Sequence, residues 1–256
     1  MPDSDPTQTL VNLGQTRSSH QRNHFLLTPD TFVRTTLPGM KKCMAVVHVG
    51  TAMGAAFTEY TAEFEAGGEL GETQAQRFLY VLEGAVKIGL SGKESKLGAG
   101  GYAYVPEGAA HRFVAAKTSR AAVIEKTYQP LPGVAAPHAI ISTEDKVSSQ
   151  ALNDDRDLQV KCLLPDESAF DFAVNTMVYQ PGAALSMVEM HVMEHGLIML
   201  AGGGIYRLGD SWYPVTAGDF IWMGPWCPQW FGAIGKTPAK YLIYKDANRH
   251  PHSPTR

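Results

Sequence analysis

The sequence predicts an all-β protein made of two tandem copies of one barrel-like unit. Helical periodicity is nearly absent from the chain. Short runs rich in Val, Ile, Tyr, Phe and Trp recur instead, broken by Gly and Pro roughly every 8 to 12 residues, the spacing of a sandwich or barrel. The chain also repeats itself. FLYVLEGAVKIGL, ending at Leu90, is similar to LIMLAGGGIYRL, ending at Leu208. GYAYVPEGAAH (Gly101 to His111) is similar to GDFIWMGPWCPQ (Gly218 to Gln229). Gly84 and His111 stand 27 positions apart, as do Gly202 and Gln229. Register kept over that length marks a duplicated structural unit.

The elements follow in chain order. Residues 1–22 open with MPDSDPTQTL, acidic and Pro-containing, which is the wrong character for a secretory signal, and are expected to form a loose tail. Residues 23–129 form the first unit, with strands such as Phe78–Leu82 and Tyr102–Val105 and a closing AAVIEK that ends at Lys126. Residues 130–147 are the expected linker, held extended by Pro130, Pro132 and Pro137. Residues 148–256 form the second unit. Its polar opening, SSQALNDDRDLQ, is expected as a surface loop or short helix, and YLIYK, ending at Lys245, is matched to AAVIEK.

Bulk properties exclude several classes. The apolar fraction of 44% and charged fraction of 18% suit a globular core, and a net charge of −3 with scattered Lys and Arg argues against nucleic acid as a partner. No apolar run approaches the roughly 18–20 residues of a membrane span, so a cytoplasmic protein is expected. Cys43, Cys162 and Cys227 are an odd set without CxxC spacing, which argues against a disulfide framework or zinc knuckle. His24, His48 and His138 read as hydrogen-bonded core residues.

One constellation carries chemistry. Glu189 and His191 stand at i and i+2, so on a strand both point to one face. His195 follows before Gly196, and Gln229 occupies the position matching His111 of the first copy. A carboxylate, two imidazoles and an amide make a mixed N/O site for a divalent ion favouring octahedral coordination. The competing readings are a structural Glu–His ion pair and an amide that merely caps a pocket. The matching slots of the first copy are Gly71, Thr73, Arg77 and His111, which cannot hold an ion. Tyr241, Ile243 and Lys245 share one strand face. If that face is inward, a phenol and an ammonium enter the pocket, where a lysine can serve acid–base chemistry; if outward, Lys245 is a surface charge. Tyr206 and Met187 are expected beside the pocket, and Trp222, Trp226, Trp230 and Phe231 as its wall or as core.

PGAALSMVEMHVMEHGLIMLAG and GDFIWMGPWCPQ resemble the two cupin motifs, G-x5-H-x-H-x3,4-E-x6-G and G-x5-P-x-G-x2-H, with the first His replaced by Glu189, the Glu by His195 and the last His by Gln229. That ligand set resembles the (S)-ureidoglycine aminohydrolase family, as do NHFLLTPDTFVRTTLPG, FLYVLEG, GGYAYVPEG and YLIYKDANR. The resemblance implies a bicupin of two double-stranded β-helix (jelly-roll) barrels, with Mn2+ (or Fe, Ni or Zn) held by Glu189, His191, His195 and Gln229. It implies a small-molecule substrate in purine (allantoin) catabolism, Lys245 and Tyr241 in catalysis, substrate contacts from those two and Tyr206, and a homo-oligomer. The alternatives are a cupin dioxygenase, which more often offers three His at these slots, and a binding or storage bicupin without catalysis.

Overall fold

The computed structural model describes residues 15–250. β1 (Ser19–His20) and β2 (His24–Leu27) open the chain. The first repeat supplies β3 (Arg34–Thr35), β4 (Met40–Val49), β5 (Thr58–Leu70), β6 (Gln76–Glu83) and β7 (Ala85–Leu90). It closes with β8 (Lys93–Gly98), β9 (Gly101–Val105), β10 (His111–Ala115) and β11 (Ser119–Lys126). Then come β12 (Ile140–Thr143), β13 (Gln150–Leu152), β14 (Asp155–Cys162) and β15 (Phe172–Tyr179). β16 (His195–Ala201), β17 (Gly203–Leu208), β18 (Ser211–Thr216), β19 (Phe220–Met223), β20 (Gln229–Ala233) and β21 (Ala239–Asp246) complete the second repeat.

The two halves are built alike. One sheet runs β12-β9-β6-β11-β5-β10-β7-β8; the other runs β1-β2-β19-β16-β21-β15-β14-β13, with β18-β17-β20 as a small sheet beside it. The continuous apolar runs of the sequence have a direct cause. Strands in the walls facing each other are buried on both sides, so both sets of alternating side chains must be apolar. On β6 and β9, Leu79, Val81, Ala103 and Val105 fill the first barrel, while Phe78, Tyr80, Tyr102 and Tyr104 face the other barrel. On β16, β19 and β21, Leu197, Met199, Ile221 and Ile243 fill the second barrel, and Ile198, Phe220, Trp222 and Tyr244 face the first. Phe57 stacks on Tyr244 at 3.8 Å across this shared core, and Phe25 stacks at 5.3 Å on Trp222, its neighbour in the same sheet.

Four expectations change. The described part of the expected loose tail is tied down: Arg17 pairs in two hydrogen bonds with Asp219 (2.6 and 2.8 Å), and β1 pairs with β2. β2 lies in the sequence range of the first unit but pairs with β19 of the second sheet. Reciprocally, β12 lies in the expected linker and pairs with β9 of the first sheet. Each barrel thus takes an edge strand from the segment leading into the other. Finally, residues 148–159 form most of the β13–β14 hairpin rather than a loop or helix. β13 and β14 are largely polar and β2 and β12 only four residues long, so their pairing with a partner edge leaves no periodic signal in the chain. Among the described residues no helix is long and apolar enough to cross a membrane.

Candidate metal centre

A cavity of about 340 Å³ opens in the second barrel, and Glu189, His191, His195, Gln229, Tyr206, Tyr241 and Lys245 all line it. Two strand pairings position them. His195 opens β16 directly opposite Lys245 on β21. Gln229 opens β20 and exchanges two backbone hydrogen bonds with Glu189, at 2.8 and 2.9 Å. That bridge is isolated, so the segment before His195 is a loop pinned at Glu189 rather than the expected strand. The i, i+2 alternation survives: Glu189 and His191 face the cavity while Val188 and Met190 are exposed. Met187 is also exposed, at 68%, and does not line the cavity; Met193 does. The backbone N–H of Trp226 donates to His191 O at 2.8 Å and fixes the loop from the other side.

The imidazoles carry the decisive electrostatics. His195 Nδ1 lies 3.2 Å from the Tyr244 carbonyl, which can only accept, so Nδ1 holds the proton and Nε2 presents a lone pair. Burial, then the neighbouring His191, pushes the His195 imidazole down to about 3, so it is neutral. His195 Nε2 sits 3.3 Å from His191 Nε2, which is also 2.8 Å from the Gln229 amide nitrogen. One nitrogen cannot serve both neighbours. If His191 Nε2 accepts from the amide, it turns a lone pair toward that of His195; if it donates to His195, it opposes the amide N–H. A cation among these groups resolves the conflict, with the amide turned to present its oxygen. The donor set therefore fits a divalent ion, although among the described residues no three of His, Cys, Asp and Glu are drawn together closely enough to cage one. His191 Nδ1 is buried without a partner, so its outer nitrogen has no orienting carbonyl like that of His195.

Tyr241, Ile243 and Lys245 all line the cavity, as the inward reading of their strand face requires. Tyr241 is 2% exposed and its hydroxyl lies 2.8 Å from that of Tyr179. Burial pushes the phenols of Tyr241 and Tyr206 well above their ordinary value, so both remain protonated hydrogen-bonding groups. Sequence reasoning missed Asn175 and Met177, which also line the cavity. Their signal was present in FAVNTMVY, where 175 and 177 share a face. The Tyr244 carbonyl had no signal, because any residue supplies one. The aromatic residues expected as a wall do not line the cavity. Trp222 is buried between the barrels, Phe231 packs inside the second barrel and Trp226 is exposed. Cys227 is buried against His24 rather than in the cavity. His24 and His48 are buried and hydrogen-bonded, whereas His138 is exposed.

The first barrel holds a cationic side chain at the matching place. Arg77, at the slot of His195, donates to Glu125 at 2.6 Å and to Gly71 O at 2.6 Å, and reaches His111 Nε2 at 2.8 Å. Pairing also corrects the repeat alignment. Arg77 faces Glu125 as His195 faces Lys245, so the counterpart of Lys245 is Glu125, not Lys126. The turn before β21 (234–238) is two residues longer than the one before β11 (116–118), which displaces the sequence match.

The cupin domain family matches residues 61–125 and 175–244. A protein of Arabidopsis thaliana named (S)-ureidoglycine aminohydrolase is 38% identical over 242 residues, 93% of this chain and 80% of its own length. The chain belongs to the (S)-ureidoglycine aminohydrolase family of cupins. An Escherichia coli relative of the same name is 32% identical over 89% of both chains. The crystal structure of protein Ylba from E. coli superposes with a TM-score of 0.83 at 30% identity, covering 95% of this chain and 99% of that one. The two family matches fall one in each barrel, and the cavity lined by Glu189, His191, His195 and Gln229 lies in the second.

Proposed function

We propose that this chain hydrolyses (S)-ureidoglycine to (S)-ureidoglycolate and ammonia, as a cytoplasmic step of purine breakdown. The convergence of Glu189, His191, His195 and Gln229 with Tyr241 and Lys245 in one cavity is the observation that carries this reading, and the names of the relatives support the substrate. Glu189, His191, His195 and Gln229 would hold a divalent cation, proposed to be Mn2+, which when bound supplies Lewis acidity and a fixed orientation. Lys245, opposite His195, supplies a mobile ammonium that pairs with the substrate carboxylate or gives a proton to the leaving amine. Tyr241 and Tyr206, kept as neutral phenols, donate hydrogen bonds to the substrate's oxygens. Leu185, Met177 and Ile243 form the apolar side of the cavity and limit bulk water. Water adds its oxygen at the carbon from which nitrogen departs as ammonia.

The first barrel, closed by Arg77, serves packing and assembly in this reading. Exposed Val33, Met44 and Met53 in the first repeat, with Met187 and Met190 in the second, support a homo-oligomer. The test is metal analysis of the purified chain, followed by ammonia release from freshly generated (S)-ureidoglycine before and after chelation. Oxygen uptake instead of ammonia release would move the chain to the dioxygenase reading, and ammonia release unaffected by chelation would remove the metal from it.

A further inference from the structure

A second cleft, of about 610 Å³, lies between the barrels and shares no lining residue with the candidate metal centre. Two buried nitrogens of residues lining it have no hydrogen-bond partner, His48 Nδ1 and Arg120 Nε. His48 is 2% exposed, and its ring is fixed on every side. It stacks on Phe220 at 4.8 Å, meets the edge of Phe32 at 4.9 Å, and holds Nε2 at 2.8 Å from Thr61 Oγ1. The ring therefore cannot turn to satisfy Nδ1. Arg120 gives Nη1 to Glu83 at 2.9 Å, which leaves its Nε edge unengaged. Arg120 Nε–H is a buried donor without an acceptor, which costs about 1–3 kcal/mol, and His48 Nδ1 becomes a second in the tautomer whose Nε2 accepts from Thr61, so the pair describes a site for an oxygen ligand.

The acidic groups nearby do not fill that role. Glu144 accepts from Lys240 at 2.7 Å, from Thr176 at 2.9 Å and from the Tyr80 hydroxyl, so its charge is already answered. Glu83 is paired with Arg120 through Nη1, and Asp145 lies on the same wall as Glu144. We propose that the cleft binds a small carboxylate. One oxygen accepts from Arg120 Nε–H in the planar geometry that guanidinium favours. The other accepts from His48 Nδ1–H, with the Thr61 hydroxyl donating to Nε2 to set that tautomer.

The probe is carbon-labelled acetate, followed by saturation-transfer NMR on the full chain. The wild type is expected to bind it, with affinity weakened about tenfold or more in Arg120→Gln and in His48→Phe, and unchanged in Glu189→Gln. No binding by the wild type overturns the proposal. So does binding that survives Arg120→Gln, or binding lost in Glu189→Gln, which places the anion in the metal centre instead. Should His48→Phe fail to fold, Arg120→Gln, whose side chain is 36% exposed, decides alone.

Discussion

Arg77 and Glu125 face each other across β6 and β11, and their side chains close to 2.6 Å inside the first barrel. The same two positions in the second barrel are His195 and Lys245. One barrel carries a cation on its own chain; the other carries the candidate ligands for one, with a lysine beside them. Removing the guanidinium leaves Glu125, His111 and the Gly71 carbonyl without their shared donor. Arg77→Ala is therefore expected to destabilise the fold by about 3–5 kcal/mol. Denaturant unfolding with metal content measured in parallel checks this: stability should fall while metal per chain stays the same.

Lys245→Ala tests the other member of that comparison. The side chain lines the cavity opposite His195 and supplies none of the candidate ligand atoms. Turnover of (S)-ureidoglycine is expected to fall by about 10²–10⁴, with metal content intact. Turnover within a few-fold of wild type would sink the assignment of proton transfer or substrate binding to this lysine.

Much of this was legible in the chain, for physical reasons that differ by residue. The duplication was visible because Gly84 and Gly202 end matching strands with φ of 81° and 63°, a conformation that keeps glycine in place through divergence. The ligand slots were visible because Glu189 and His191 are costly to bury without a purpose. The reciprocal exchange of β2 and β12 was not, since pairing with a distant edge leaves no local pattern. Nor was the Arg77–Glu125 pair, because the longer turn before β21 shifts the apparent alignment of the last strands.

Metal occupancy should appear as stability as well as activity. Binding to the folded chain alone adds about 2.7 kcal/mol at a free metal concentration 100 times Kd. The His191 and His195 nitrogens, 3.3 Å apart, are where that energy is expected to enter. Chelation is expected to lower the Tm of the wild type, and Mn2+ to restore it. His195→Ala should show neither response. A wild-type Tm indifferent to both treatments would rule out these residues as the ligand set.

Glu59 ties stability to pH. It is fully buried on β5, and neither carboxyl oxygen has a partner. A Cβ at Gly196 would lie 2.2 Å from its Oε2, so the carboxyl fills the space that glycine leaves beside β16. Burial pushes its pKa up from 4.5 to about 8. Below the lower value both folded and unfolded chains hold the proton, and the contribution to stability is complete. As pH rises from about 4.5 toward 8, the unfolded chain releases that proton while the folded one retains it, so stability falls until the folded pKa is passed. Glu59→Gln keeps the shape and removes the titration. Its stability relative to wild type, measured by denaturant unfolding across that range, is expected to rise steadily with pH. A difference that stays constant with pH would show that Glu59 is already ionised in the folded chain.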